Sequence, residues 1–220
     1  MINFESAVSP VEKSFFDSDT LIITIPPKRN SSDYVNQINA IASLAEQSDL
    51  KQVILISSTG VYQDGNAVVN EDTLPLPESH SGKIILAAEN ALLKRSFTTT
   101  IIRFAGLIGP GRNLAKHFAG KVDIANGLAP VNLIHLADCL GLSQTIIEQK
   151  AFGHIYHGVS PDHPTRKEFY TRICLASGLV KPEFKHELVA WKQIDSTNVP
   201  HILSYTYQID HWHKYDGVED

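Results

Sequence analysis

Cysteine is nearly absent: Cys139 and Cys174 are the only two in 220 residues. That excludes a disulfide framework and leaves the pair as small buried hydrophobes. No apolar run reaches the roughly 18–20 residues of a membrane-spanning helix. The opening Met1-Ile2-Asn3-Phe4-Glu5 has neither the basic start nor the apolar core of a secretory signal. Basic residues are outnumbered, 19 against 24 acidic, and the net charge of -5 offers no basic field to nucleic acid or acidic lipid. Glycine is missing from residues 1–20, so no glycine-rich phosphate loop precedes the first apolar run. What the chain does have is core-forming substance. At 43% hydrophobic and 20% charged, it can bury about 70% of its unfolded surface, which argues against disorder. The expectation is one globular, cytoplasmic domain over residues 1–220, with no nucleic-acid or membrane partner.

Short β-branched runs alternate with amphipathic stretches, without repeats or low-complexity tracts. Leu21–Ile25 reads as a strand buried on both faces and stopped by Pro26-Pro27. Ser31-Ser32-Asp33 is helix-cap chemistry ahead of Val35, Ile38, Ala42 and Ala45 at helical spacing. Val53–Ile56 and Thr100–Ile102 are further strands. Ile84, Ile85, Ala88, Leu92 and Leu93 mark a helix face between them. A loop over Gly106–Gly111, a strand over Val131–Ile134, a helix over Leu136–Glu148 and a strand within 154–159 follow. Thr165 and Glu168 fit a capping box, with Phe169, Ile173 and Ala176 facing inward and Gly178 ending the helix. Alternating strands and helices predict a parallel sheet covered on both faces. Ligands of such sheets sit at the carboxyl ends of the strands.

Those strand ends carry a resemblance. Ile56-Ser57-Ser58-Thr59-Gly60-Val61-Tyr62, the segment Arg103–Arg112 with its Gly-Pro-Gly, Ala129–Asp138 and Val159–Tyr170 resemble, in order, segments of the extended short-chain dehydrogenases/reductases, the NAD-dependent epimerase/dehydratase family. The resemblance covers about residues 20–180. It implies an α/β fold: a partial Rossmann-like parallel sheet plus a small substrate-side lobe, mainly 106–132 and 160–220. It also implies NAD or NADP as cofactor and an oxidoreductase or epimerase-like activity on a sugar nucleotide or related small molecule. By resemblance Ser58 is the catalytic hydroxyl. Ile25, Pro26, Ser57, Phe104, Ala105 and Gly106 lie along the cofactor, with Gly106 where many members carry asparagine. Arg112 and Asn132 face substrate, and Arg112 has the guanidinium to clamp a phosphate or carboxylate.

Two features depart from the family. Its Tyr-x-x-x-Lys pair is absent: Lys83 follows Ser79 by four residues, and the register set by Glu89 gives Ser81 and Ile85 instead. Its strand, glycine-rich turn and helix are also absent before Leu21, so residue 1 aligns inside the nucleotide-binding half and three strands are expected to be missing. The alternative function is therefore a non-catalytic remnant or small-molecule-binding module without cofactor. Without a first strand, Leu21–Ile25 has a bare edge. Residues 1–20, through Val8, Val11, Phe15 and Phe16, cover it or a second copy pairs with it, and association is the favoured expectation. Lys83 reads as a surface lysine, Asn126-Gly127 as a turn and His135 as a residue that caps the following helix or packs. His211 and His213 flank Trp212 in what reads as a solvated tail, with no zinc-site partners nearby.

Overall fold

The structure, a computed structural model, describes residues 15–27, 33–48 and 50–215. Its frame is a four-stranded sheet of β1 (Thr20–Ile23), β2 (Gln52–Ser58), β4 (Thr98–Phe104) and β7 (Ile155–Gly158), in the order β1-β2-β4-β7. All three pairings are parallel. Two-residue periodicity distributes the apolar side chains to both faces. Val53 and Leu55 of β2 pack with Ile38, Ala42 and Ala45 of α1 (Tyr34–Gln47) and with Ala88 and Leu92 of α2 (His80–Leu92). Ile54, with Ile102 and Tyr156, faces the other way, onto Leu142 and Ile146 of the helix Leu136–Glu148 and onto Val199 and Leu203. Helices thus cover both faces, as a parallel sheet requires.

Two small parallel pairs flank this sheet. β5 (Gly106–Ile108) pairs with β6 (Leu133–His135), and β3 (Ala67–Val69) pairs with β8 (Lys192–Ile194). A separate core of Ile108, Val131, Leu133, Phe169, Ile173, Cys174 and Trp212 lies beyond β5 and β6. The capping box on the helix Arg166–Ala176 is complete: Thr165 Oγ1 accepts from the Glu168 N–H, and Glu168 Oε2 accepts from the Thr165 N–H. His135 caps the helix after it, accepting from the Ala137 N–H at 3.2 Å.

Several sequence expectations change. β1 spans Thr20–Ile23, and only Ile23 is buried while Ile22 is exposed; the core with Phe16, Ile38 and Val53 covers the Ile23 face alone. Phe16 joins the core beside Ile23 while Phe15 stays exposed; Val8 and Val11 lie outside the described residues. Gly106–Ile108 is strand, not loop, because β6 gives its backbone a partner, and β6 itself lies one to two residues later than Val131–Ile134. Leu93 is exposed, since α2 ends before it. Cys174 takes the inward place expected of Ala176. Trp212 is fully buried against Phe169, and Arg172 ties the segment down through the Trp212 and Tyr215 carbonyls, so the C-terminal stretch is core rather than solvated tail.

One polar row runs through the main sheet. Ser57, Arg103 and His157 are register partners across β2, β4 and β7. Arg103 Nε and Nη2 donate to Glu89 of α2 at 3.0 and 2.6 Å, with Glu89 0% and Arg103 2% exposed. Ser57 Oγ donates to Glu89 Oε1 at 2.5 Å, and Arg103 Nη1 donates to the Tyr62 hydroxyl at 2.5 Å. His157 Nδ1 faces the Asp195 carbonyl at 2.8 Å and so carries the hydrogen. Its Nε2 then accepts from Tyr62, also at 2.8 Å. Burial pushes the Tyr62 phenol up to about 12, against the pull of Arg103, which keeps it a donor. Burial likewise pushes the His157 imidazole below its usual range, against the opposing pull of Glu71.

Arg103→Met alone leaves Glu89 buried without a counter-charge and is expected to cost about 3–5 kcal/mol in urea unfolding. The double variant Glu89→Leu/Arg103→Met is expected to be more stable than either single one. His157 has a depressed folded pKa, so its neutral form contributes stability above the unfolded value of about 6.5, and that contribution is lost as pH falls toward the folded value. Across this window wild-type stability should drop by up to about 1.4 kcal/mol per pH unit more than that of His157→Gln. Equal slopes in denaturation midpoints from pH 7.5 to 5.5 would show that folding leaves the imidazole pKa unchanged.

Candidate functional site

The carboxyl ends of the main strands form one edge. Ser58 of β2 is in register with Phe104 of β4, and Phe104 with Gly158 of β7. Ser58 caps the single turn Thr59–Val61: its Oγ accepts from the Gly60 N–H at 3.1 Å. This is the turn chemistry expected of a strand-end serine, and it leaves the hydroxyl hydrogen able to donate outward. α2 lies close behind, because a Cβ on Gly82 would overlap the Gly60 carbonyl. The helix start is therefore pinned to the turn that carries Ser58.

The residues assigned along the cofactor divide. Ile25 and Pro26 stand exposed just past β1. Ser57 is committed to Glu89 through its hydroxyl. Phe104 and Ala105 are buried, at 6% and 7% exposure, and present backbone more than side chain to the edge. Phe104 lies over Gly158, where any Cβ would overlap its ring. Gly106 is exposed, and a Cβ there would stand 2.8 Å from Leu133 Cδ2 and 3.1 Å from the Asn132 carbonyl oxygen. A larger residue at 106 must turn the Leu133 side chain aside and press on the Asn132 carbonyl.

On the substrate side, Arg112 is exposed with no ion pair among the described residues, and its N–H donates to the Gly109 carbonyl. The Asn132 amide is engaged at both ends: Nδ2 donates to the Lys192 carbonyl at 2.8 Å, and Oδ1 accepts from the Ile194 N–H at 2.7 Å. Asn126 turns with φ 57° and accepts from the Val189 and Ala190 N–H groups.

At the relay positions Ser79 caps α2 through the Gly82 N–H, Ser81 and Lys83 are exposed, and Ile85 is half-buried. Tyr62 is the phenol nearest in sequence to Ser58, but it is 3% exposed and committed to Arg103 and His157. Sequence reasoning passed over Tyr62, Glu71 and His157. The available signal was Glu89 on the apolar side of α2 and Arg103 in a β-branched strand, each needing a buried partner.

No family model matches the chain. The Escherichia coli K12 protein YeeZ is 33% identical over 201 residues, spanning 89% of this chain and 73% of YeeZ. The chain belongs to the extended short-chain dehydrogenase/reductase family. The fold matches UDP-glucuronic acid 4-epimerase from Bacillus cereus, solved with NAD, at TM-score 0.80 and 16% identity over 98% of this chain and 77% of that one. It also matches UDP-N-acetylglucosamine 4-epimerase from Bacillus cereus at TM-score 0.75 and 18% identity, over 92% and 81%.

By resemblance, the nicotinamide end of a dinucleotide would lie along the exposed Ile25 and Pro26, the Ser58 hydroxyl and the 104–106 backbone. The described residues supply no glycine-rich cradle for the pyrophosphate. Gly60 is the first glycine in the sequence, so no glycine-rich turn joins a strand to α1, where N–H groups would hold phosphate.

Gly158→Ala should cost about 1–3 kcal/mol by forcing the Phe104 ring off the sheet edge. Phe104→Leu in the same chain should recover part of that loss. Equal melting of Gly158→Ala and wild type would mean the ring is free to move.

Proposed function

We propose that this protein binds a sugar nucleotide or a related small molecule at the carboxyl edge of the main sheet, in the cytoplasm, as an epimerase-like member without the family's Tyr–Lys proton relay. The observation that carries this reading is the pairing of a retained Ser58 turn with a replaced relay. Ser58 keeps its hydroxyl at the edge, while Ser79 or Ser81 and Lys83 or Ile85 occupy the positions of phenol and amine. A serine hydroxyl cannot pass a proton near neutral pH as a tuned phenol does, so binding is the role the remaining groups support. Its free cysteines, Cys139 and Cys174, suit a reducing compartment. The second reading, an NAD- or NADP-dependent oxidoreductase, is favoured by the neighbour crystallised with NAD. It requires another acid/base in place of the Tyr–Lys pair.

Calorimetry separates the two. UDP-glucuronic acid should bind the full chain, and Ser58→Ala should weaken it by roughly fivefold to tenfold, the worth of about one hydrogen bond. NAD and NADP should bind weakly or not at all. A dinucleotide dissociation constant in the low micromolar range, about -8 kcal/mol, would restore the oxidoreductase reading. In that case Ser58→Ala should lower turnover about 10²–10³-fold, while Lys83→Ala leaves it unchanged.

A further inference from the structure

The two outer edges of the main sheet differ. β7 forms one of them, and side chains occupy its outer backbone groups. Glu71 Oε1 accepts from the His157 N–H at 2.9 Å, and Asn198 Nδ2 donates to the Ile155 carbonyl at 2.8 Å. An edge covered in this way takes no further strand. β1 forms the other edge. Beyond its pairing with β2, no hydrogen bond reaches residues 20–25 from any described residue.

This second edge also lacks the features that usually blunt one. Residues 20–25, Thr-Leu-Ile-Ile-Thr-Ile, contain no charge, proline or glycine. Ile22 is 42% exposed and Ile25 38%, so apolar side chain as well as backbone is open along it. Pro26-Pro27 limits its length, because proline donates no N–H to a ladder.

The two ends of the strand carry opposite charge. Asp17 and Asp19 precede β1, exposed and in no ion pair among the described residues. Lys28 and Arg29 follow the two prolines in the sequence. A strand that is acidic before its start and basic after its end is complementary to itself in one orientation. Antiparallel pairing brings the acidic end of each copy to the basic end of the other, twice in every pair. Parallel pairing sets like charges side by side, which is unfavourable.

We propose that β1 is an interface between two copies of this chain, pairing antiparallel with the same strand of the second copy about a two-fold axis normal to the sheet. The two four-stranded sheets then run on as one, with β7 at each end. Both copies use the same edge, so the assembly closes at two. The two exposed Ile22 side chains become neighbours on the face opposite Ile23. The interface is distinct from the ligand reading of the Ser58 turn and stands or falls without it.

The test is the molar mass of the full chain by light scattering over roughly 1–500 μM, the range of weak protein pairs. Low ionic strength keeps exposed charges least screened. The expected result is a rise from one chain to two, with no larger species. Charge reversal then locates the contact. Asp17→Lys/Asp19→Lys makes both ends of the strand basic, and Lys28→Glu/Arg29→Glu makes both acidic. Each variant alone should dimerise at least tenfold more weakly than wild type. An equimolar mixture of the two should form a heterodimer, and the chain carrying all four substitutions should regain the wild-type dimer. Unchanged circular dichroism and melting confirm the fold of each variant. A monomer at every concentration shows that the edge is closed within one copy and overturns the proposal. Growth beyond two copies, wild-type association in both reversed variants, or a mixture that stays monomeric overturns it as well.

Discussion

The row Ser57, Arg103, His157 lies one residue beneath the row Ser58, Phe104, Gly158 that forms the carboxyl edge of the main sheet. A charged row at that depth is costly unless every member is paired, and the pairing dictates much of what surrounds it. Arg103 takes Glu89 from α2 with two donors and Tyr62 from the chain after β2 with a third. Because Tyr62 follows Ser58 by only four residues, holding its hydroxyl beneath the edge folds the intervening turn back over the strand end. Ser58 is placed as a consequence. Its position depends less on its own bond to Gly60 than on the guanidinium below it.

Glu71 extends the same network outward. Burial pushes its carboxyl up, but bonds from the Ser196 hydroxyl and the Thr197 and His157 N–H groups, with the nearby imidazole, take it below the usual carboxylate range. A single side chain thus ties the loop after β3, the strand β7 and the segment after β8. This is the polar equivalent of a core contact: three distant pieces of chain converge because one ionised group must be satisfied.

The main sheet was legible because period-two apolar runs and their β-branched composition are local signals. Val53, Ile54 and Leu55 announce a strand covered on both sides, and the capping box at Thr165 and Glu168 declares its helix from four letters. β3, β5 and β8 were not legible. Each is three residues long and has strand geometry only because its partner lies 27 or more residues away. Trp212 misled for a related reason: its flanking histidines are exposed, and only the distant Phe169 and Arg172 explain the burial of the indole. In the candidate site the resemblance marked positions and the structure supplied commitments. Ser57 and Asn132 stand at family positions, but their polar atoms serve Glu89 and β8, and no reading of neighbouring residues reveals that.

Asn132 shows how the two ends of the molecule are joined. Its amide takes the Lys192 carbonyl and the Ile194 N–H as an adjacent peptide would, so β8 is bonded by β3 on one side and by this side chain on the other. The Asn132 carbonyl in turn accepts from the Gly106 N–H at the start of β5. The chain from the end of β4 therefore reaches β8 through one residue, and β8 runs directly into Asp195, whose carbonyl faces His157 Nδ1. The asparagine holds the side of β8 that β3 leaves open. Glycine at 106 follows from the same packing, since the backbone of Asn132 approaches too closely for a Cβ to pass unopposed. The Gly106 N–H and the Asn132 carbonyl meet where β5 begins, and the amide at 132 binds the backbone of β8 at both of its ends.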